Sequence, residues 1–265
     1  VDEPVTVHAQ TGIPWQKRYL EAITVGLATC GIGAKWTSQQ ETGPGTHIIL
    51  GPNAFRQAFA RLRSEGRDLL TINRAFIGSV LGDEANPYVA IGWNGYNNLA
   101  RFPFKYGEPL PHSRMGQLWG EVRGFRQAPT LDGQVALVLG EYDTPADYLA
   151  TALGELHQSG ESFYFRPHPQ AQPPKGIRLA PWPEIEEAID ESAYVLTHHS
   201  TAGVTALIRG CAVVTYDEES MAWPITSHSI DELRYPNREL WLEWLAWTQW
   251  TIEEIARGDP WEFFV

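Results

Sequence analysis

Residues 194–216 constrain this chain most, because they read as one complete strand–turn–helix–strand unit. Tyr194-Val195-Leu196 is a short apolar strand and Thr197-His198-His199-Ser200-Thr201 is a polar turn. Ala202 to Arg209 is a helix with Val204, Leu207 and Ile208 on one face. Gly210 ends that helix, and Cys211 to Tyr216 is the next strand. Such a unit points the amide groups of the helix start out of the carboxyl end of the preceding strand, where an anion can sit. Ser200 or Thr201 is placed to cap the helix, and Gly203 leaves its first turn open to close approach. The turn therefore reads as a phosphate-binding turn for a nucleotide-activated donor. The plainer alternative is a capped helix inside an α/β core.

The same alternation runs through the chain. Val5–Ala9, Ala34–Ser38, His47–Leu50 and Leu69–Ile72 read as strands, with helices over Trp15–Thr29 and Asn53–Glu65 between them. That order predicts a parallel sheet with helices on its faces. Residues 75–111 are irregular, rich in Gly, Asn and aromatic residues, with Tyr88–Trp93 as the clear strand, and an irregular segment of this length carries function. Residues 127–133 make the best linker. A second series follows, with strands at Val135–Leu139, Phe163–Phe165 and Ile177–Leu179 and helices over Ala146–Gln158 and Pro183–Glu191. The expected division is residues 1–130, residues 131–234 and a helical tail over 235–265. Trp241, Trp244, Trp247 and Trp250 recur at every third position of that tail and read as packing anchors rather than a ligand site.

Charge is unevenly spread over the 265 residues. Residues 1–130 carry 13 Lys and Arg against 10 Asp and Glu, whereas residues 131–265 carry 7 against 22. A polyanionic acceptor can approach only the first half without strong repulsion. Arg56, Arg61, Arg63 and Arg67, on or beside one helix, suit a phosphate backbone. No apolar run is long enough to span a bilayer and no leader is visible. The two cysteines, Cys30 and Cys211, lie in apolar segments, which predicts reduced, buried thiols in a cytosolic protein. No Cys/His spacing resembles a zinc site.

Three loops are expected at one edge of the second sheet: the turn at Gly140, the Arg166-Pro-His168-Pro169 loop and the His199-Ser200-Thr201 turn. Arg166 offers a forked donor for phosphate oxygens, His168 a second donor, and the prolines stiffen their loop. Open α/β sheets bind ligands at such an edge. Ser220, in the loop after the Tyr216 strand, is placed with them on the donor side. The lack of a G-x-G-x-x-G after the first strand sets a dinucleotide-dependent dehydrogenase aside.

Phe165-Arg-Pro-His-Pro169 followed by the run from His199 to Val214 resembles the C-terminal half of GT-B glycosyltransferases. The likeness is to capsule-type sugar transferases and to glycosyltransferase-like proteins of bacteriophages. It covers about residues 135–225. Asn73-Arg74, Ile91–Gly95 and Trp241–Trp261 look like the phage members more loosely. The resemblance implies an α/β chain of two Rossmann-like domains facing a cleft, with a C-terminal helix crossing back. It also implies a nucleotide-diphosphate sugar as co-substrate, held by Gly140, Arg166, His168, His199, Ser200, Thr201, Gly203 and Ser220. Thr205 stands where many relatives carry a Glu for the ribose, so the nucleotide stays open. The family usually works without metal, and no D-x-D pair is present, Asp143 and Asp147 being too far apart. Candidates for the base that activates the acceptor are Asp83, Glu84 and His8, the last lying within a strand and reading first as a packed core histidine. Asn73, Arg74 and Asn94 are candidates for acceptor binding. The expected acceptor is a 5-hydroxymethylpyrimidine in DNA, with a surface polysaccharide as the alternative. A nucleotide-sugar epimerase, a hydrolase or a non-catalytic binder is the alternative of another class.

Overall fold

A computed structural model describes residues 4–76, 88–115 and 135–264. The chain forms two compact units, Val1–Arg114 with Glu243–Val265, and Met115–Leu242. Asp83, Glu84 and the linker at 127–133 lie outside the described residues.

The first unit holds six strands: β1 (Val5–His8), β2 (Ala34–Thr37), β3 (His47–Leu50), β4 (Leu69–Arg74), β5 (Tyr88–Trp93) and β10 (Gln249–Thr251). Their order is β10-β5-β4-β3-β1-β2. β2, β1, β3 and β4 run parallel, as the alternation of strands and helices leads one to expect. β5 and β10 depart from the expected all-parallel sheet, since β5 is antiparallel to both β4 and β10.

The C-terminal stretch is not one helix. Helix α6 (Glu239–Trp247) stops, the chain runs extended through β10, and α7 (Ile252–Arg257) and α8 (Trp261–Phe264) follow. The break has a local cause. Thr251 caps α7 in a reciprocal box with Glu254, so a new helix starts where the tryptophan repeat suggested an old one continuing. The tryptophans do act as anchors. Trp247, Trp250 and Trp261 are buried against β1, β3, β4 and helix α1 (Pro14–Thr29). A Cβ on Gly26 of α1 would run into the Ile255 carbonyl and the Trp261 indole, so this glycine sets how closely α1 and α7 pack. Arg114 closes the arrangement. It is buried, donates from Nη2 to Glu254 at 3.0 Å and to the Gln249 carbonyl at 3.0 Å, and lies 4.0 Å from the Trp250 ring centre. Cys211 is buried as expected, whereas Cys30, one residue past the end of α1, is exposed.

The second unit is a four-stranded parallel sheet of β6 (Val135–Leu139), β7 (Phe163–Arg166), β8 (Ser192–Thr197) and β9 (Ala212–Thr215), in the order β7-β6-β8-β9. Helix α3 (Ala146–Ser159) connects β6 to β7, α4 (Ile185–Asp190) precedes β8, and α5 (Thr201–Ile208) joins β8 to β9. The segment 177–179 is an isolated bridge from Leu179 to Phe165 rather than a full strand. Because β7 and β8 flank β6, the connections leaving β6 and β8 diverge, and a switch point lies between their carboxyl ends.

Trp250→Ala should lower unfolding free energy by about 3–5 kcal/mol, because it empties a fully buried indole site and removes the platform under Arg114. A urea melt read by fluorescence and circular dichroism checks this. A change below about 1 kcal/mol would mean that the edge strand is not part of the cooperative core.

Candidate functional site

Every strand of the second sheet ends on the same edge, so the loops after β6, β7, β8 and β9 are brought together by topology alone. Gly140, the first residue past β6, donates its amide to the Arg166 carbonyl at 2.7 Å. A Cβ there would stand 2.6 Å from the Phe165 ring and 3.2 Å from Pro167. Gly140 thus docks the β6 loop on the Arg-Pro-His-Pro loop. On the other side, Glu141 accepts the His199 amide through Oε1 at 2.6 Å. Below them, the Tyr148 hydroxyl lies 3.0 Å from the Leu139 carbonyl and 3.1 Å from that of Leu196, tying the ends of β6 and β8. Burial, and then the nearby Glu141, raise the Tyr148 phenol well above its ordinary pKa, so it stays a neutral donor.

Above this floor sits a compact polar cluster. His199 Nδ1 is 2.8 Å from Asp217 Oδ2 and its Nε2 is 3.0 Å from Glu141 Oε2. His198 Nδ1 is 2.8 Å from His199 Nδ1 and 3.3 Å from Asp217 Oδ2. Glu141 is buried, while His198, His199 and Asp217 are partly open. Burial pushes the Asp217 carboxyl up, but the Glu219 amide, the His199 hydrogen bond and the two imidazoles outweigh it, leaving its pKa below the usual carboxylate value.

The sequence-derived donor residues fall into three groups. His168 and His199 reach the edge as side chains. His168 Nδ1 accepts the Gln170 amide at 3.2 Å, which leaves Nε2–H as its donor in the neutral ring, and the exposed Tyr142 packs edge-on beside it. Ser200, rather than Thr201, caps α5, accepting from Ala202 at 3.2 Å, and Thr201 is exposed at the helix start. Gly203, Ser220 and Arg166 are used otherwise than expected. A Cβ on Gly203 would lie 2.9 Å from Thr197 Cγ2, so this glycine serves the packing of α5 on β8. Ser220 is buried in its own turn, its hydroxyl accepting the Ala222 amide. Arg166 directs its fork backwards, donating to the Trp182 and Pro183 carbonyls at 2.7 Å each. The proline-rich segment before α4 has carbonyls and few amides to satisfy them, and the guanidinium fills that need.

The fold is similar to that of solved sugar-transfer proteins. One is the beta Kdo 2,7 transferase of Thermosulfurimonas dismutans KpsC, with a TM-score of 0.53 and 14% identity over 97% of this chain and 98% of that one. Another is the beta Kdo 2,4 transferase of the same KpsC, with a TM-score of 0.56 and 12% identity over 94% and 90% of the two chains. The similarity is one of fold and extends over both units. No protein-family model matches the chain, and no curated protein matches it in sequence.

Glu141, His198 and Asp217 were not singled out by sequence reasoning. Each lies one or two residues past the end of a parallel strand, and that position was the available signal.

The first unit's candidates are not gathered in one place. Asn73 and Arg74 end β4, while Asn94 follows β5, which is antiparallel to β4. Asn94 therefore stands at the opposite edge, its amide on the Leu69 carbonyl at 2.7 Å, with a φ of 56° that asparagine tolerates. His8 is fully enclosed. Its Nε2 is 2.9 Å from His47 Nδ1, and His47 Nε2 is 2.8 Å from the Gly43 carbonyl. The Gly43 contact fixes the protonated nitrogen of His47 and makes its Nδ1 the acceptor from His8.

Burial lowers the His8 pKa from 6.5 to about 4, and burial lowers that of His47 as well. The neutral imidazole is the folded form, so its stabilising contribution is complete above about pH 6.5 and is lost as pH falls through about 4. Stability should therefore drop by on the order of 3 kcal/mol across that window. Urea midpoints at pH 7 and pH 4.5, for the wild type and His8→Gln, check this. A wild-type profile that matches the variant's would show that the pair does not titrate as described.

Proposed function

We propose that this protein is a glycosyltransferase that takes a sugar from a nucleotide-activated donor, held at the carboxyl edge of the second sheet, and passes it to a hydroxyl group. One observation carries the reading. The switch point between β6 and β8 is lined by polar side chains from the loops after three strands, with the His168 loop docked beside it through Gly140. Buried apolar strand ends would suffice for folding; a ligand-binding edge requires this polar surface. In this reading His168 and Thr201 contact donor phosphate oxygens, Tyr142 offers a ring for the base, and α5 directs its amino end at the anion. In the same reading the first unit carries the acceptor.

A glycan hydroxyl is the acceptor we place first, because the structures of similar fold are described as Kdo transferases. A 5-hydroxymethylpyrimidine in DNA is the second reading, supported by the phage-like segments and by the basic first half. Of the four arginines expected to meet a phosphate backbone, Arg61 pairs with Glu65 and Arg67 donates to the Gly43 and Gly45 carbonyls, which leaves Arg56 and Arg63 as exposed charges. Two such charges give a shallow salt dependence.

The test is a panel of nucleotide sugars, activated Kdo included, incubated with oligosaccharide acceptors and with hydroxymethylated DNA, and read by mass. Addition of one sugar to either acceptor supports transfer and names its class. Donor consumption without an acceptor product points to an epimerase or hydrolase, and binding without turnover to a non-catalytic protein. His168→Ala should weaken nucleoside-phosphate binding about tenfold, worth roughly 1.4 kcal/mol. Unchanged affinity by calorimetry would move the donor away from this edge.

A further inference from the structure

We propose that His198, His199 and Asp217 form a binding site for one divalent first-row transition-metal ion, with Glu141 holding His199 in the ligating tautomer. The three inner atoms are His198 Nδ1, His199 Nδ1 and Asp217 Oδ2, separated by 2.8, 2.8 and 3.3 Å. Metal–ligand bonds of about 2.0–2.2 Å, meeting at octahedral to tetrahedral angles, set neighbouring ligand atoms roughly 2.8–3.6 Å apart. The triangle therefore has the dimensions of one face of a coordination polyhedron, in the two-histidine, one-carboxylate pattern that leaves the opposite positions open.

The surrounding contacts are those that a metal site needs. His199 Nε2 is 3.0 Å from Glu141 Oε2, so its N–H donates there and the Nδ1 lone pair is turned toward the triangle. Glu141 is itself fixed by the His199 amide at 2.6 Å. The second oxygen of Asp217 accepts the Glu219 amide at 3.0 Å, which directs Oδ2 inward. A carboxylate behind a ligating imidazole is the usual outer partner in such sites. Hydrogen bonding satisfies His199 only when both of its ring nitrogens carry protons, one for Glu141 and one for Asp217. With Nε2–H on Glu141 and Nδ1 unprotonated, the Nδ1 lone pair faces the Asp217 oxygen and can ligate a cation in place of the proton. Imidazole donors select zinc, copper, iron or nickel over magnesium, calcium or manganese.

The cluster differs from the aspartate pair sought in the sequence, since its ligands come from the loops after β8 and β9. The site stands on its geometry. Its use rests on the sugar-transfer reading: the ion would supply positive charge to a donor phosphate at an edge where Arg166 is engaged by carbonyls.

The experiment is a calorimetric titration of the tag-free, chelator-treated full chain with Zn2+, and a Co2+ titration followed by visible absorption. We expect one ion per chain with a Kd of about 10 μM or tighter. His199→Ala and Asp217→Asn should each weaken binding at least about 100-fold, and Glu141→Gln about 10–100-fold. His157→Ala, at the exposed end of α3, should leave binding unchanged. Thermal melts establish that the variants are folded, and the two ligand variants test the same ion independently. Zn2+ binding weaker than about 1 mM, or affinity that survives both His199→Ala and Asp217→Asn, overturns the site. Nucleoside-phosphate affinity that rises with Zn2+ supports the charge role. Affinity indifferent to Zn2+ removes that role, while the metal titration still decides the site.

Discussion

The arrangement at the switch point depends on the carboxylate of Glu141. It accepts the His199 amide at 2.6 Å and faces the His199 ring at 3.0 Å, so one side chain from the loop after β6 fixes both backbone and imidazole in the loop after β8. Those loops leave adjacent strands in opposite directions, and without a tie across them the crevice would have no fixed shape. Tyr148 supplies the second tie from below, through its hydroxyl to the carbonyls at the ends of both strands. A buried carboxylate is costly unless it is hydrogen-bonded, and here the partners that compensate it are the groups whose geometry matters. Removing Glu141 would release a backbone amide and an imidazole together.

The two sheets repeat one solution. Read from β1 as the first strand, the parallel part of the first unit has the order second-first-third-fourth; read from β6, the second unit has the same order. Both therefore place a switch point between their first and third strands. They fill it differently. At the first, β1 ends in His8, whose ring is enclosed and paired with His47. At the second, the loops past the strands carry the buried Glu141 and the partly open His198 and His199. The same topology thus serves packing in one unit and offers chemistry in the other, and burial separates the two cases.

The parallel strands were legible in the sequence because each is a short apolar or alternating stretch set between turns and helices, a pattern dictated locally. What closes the first sheet was not. β10 pairs with β5 although Gln249 and Ala90 are far apart along the chain, and no periodicity reports such a pairing. The tryptophan spacing suggested a continuous helix, while the Thr251–Glu254 box that starts a new one is a local signal, present in the sequence and outvoted by the aromatic repeat. At the site, the positions of His168 and His199 followed from strand ends. The roles of Arg166, Gly203 and Ser220 did not, because each is decided by what folds back onto it: two carbonyls of a proline-rich segment, a threonine methyl and a turn amide. Residue type told what these groups can do, and only the tertiary neighbours told what they are doing.

The engagement of Arg166 bears on how an anion is received at this edge. Four amides about the α5 entrance are satisfied within the protein: His199 by Glu141, Ser200 by Thr197, Ala202 by the Ser200 hydroxyl and Gly203 by the Ser200 carbonyl. Glu141 and Asp217 add negative charge beside them. A phosphate brought here would meet a helix dipole and an imidazole on one side and two carboxylates on the other, a field close to balance. Tilting that balance toward binding requires either that Arg166 leave its carbonyls or that a cation join the histidines. The first breaks two 2.7 Å hydrogen bonds and leaves carbonyls to be satisfied by water. The second replaces the contacts among the His198, His199 and Asp217 ligand atoms and leaves the Arg166 carbonyls engaged. It uses side chains that the fold has already placed.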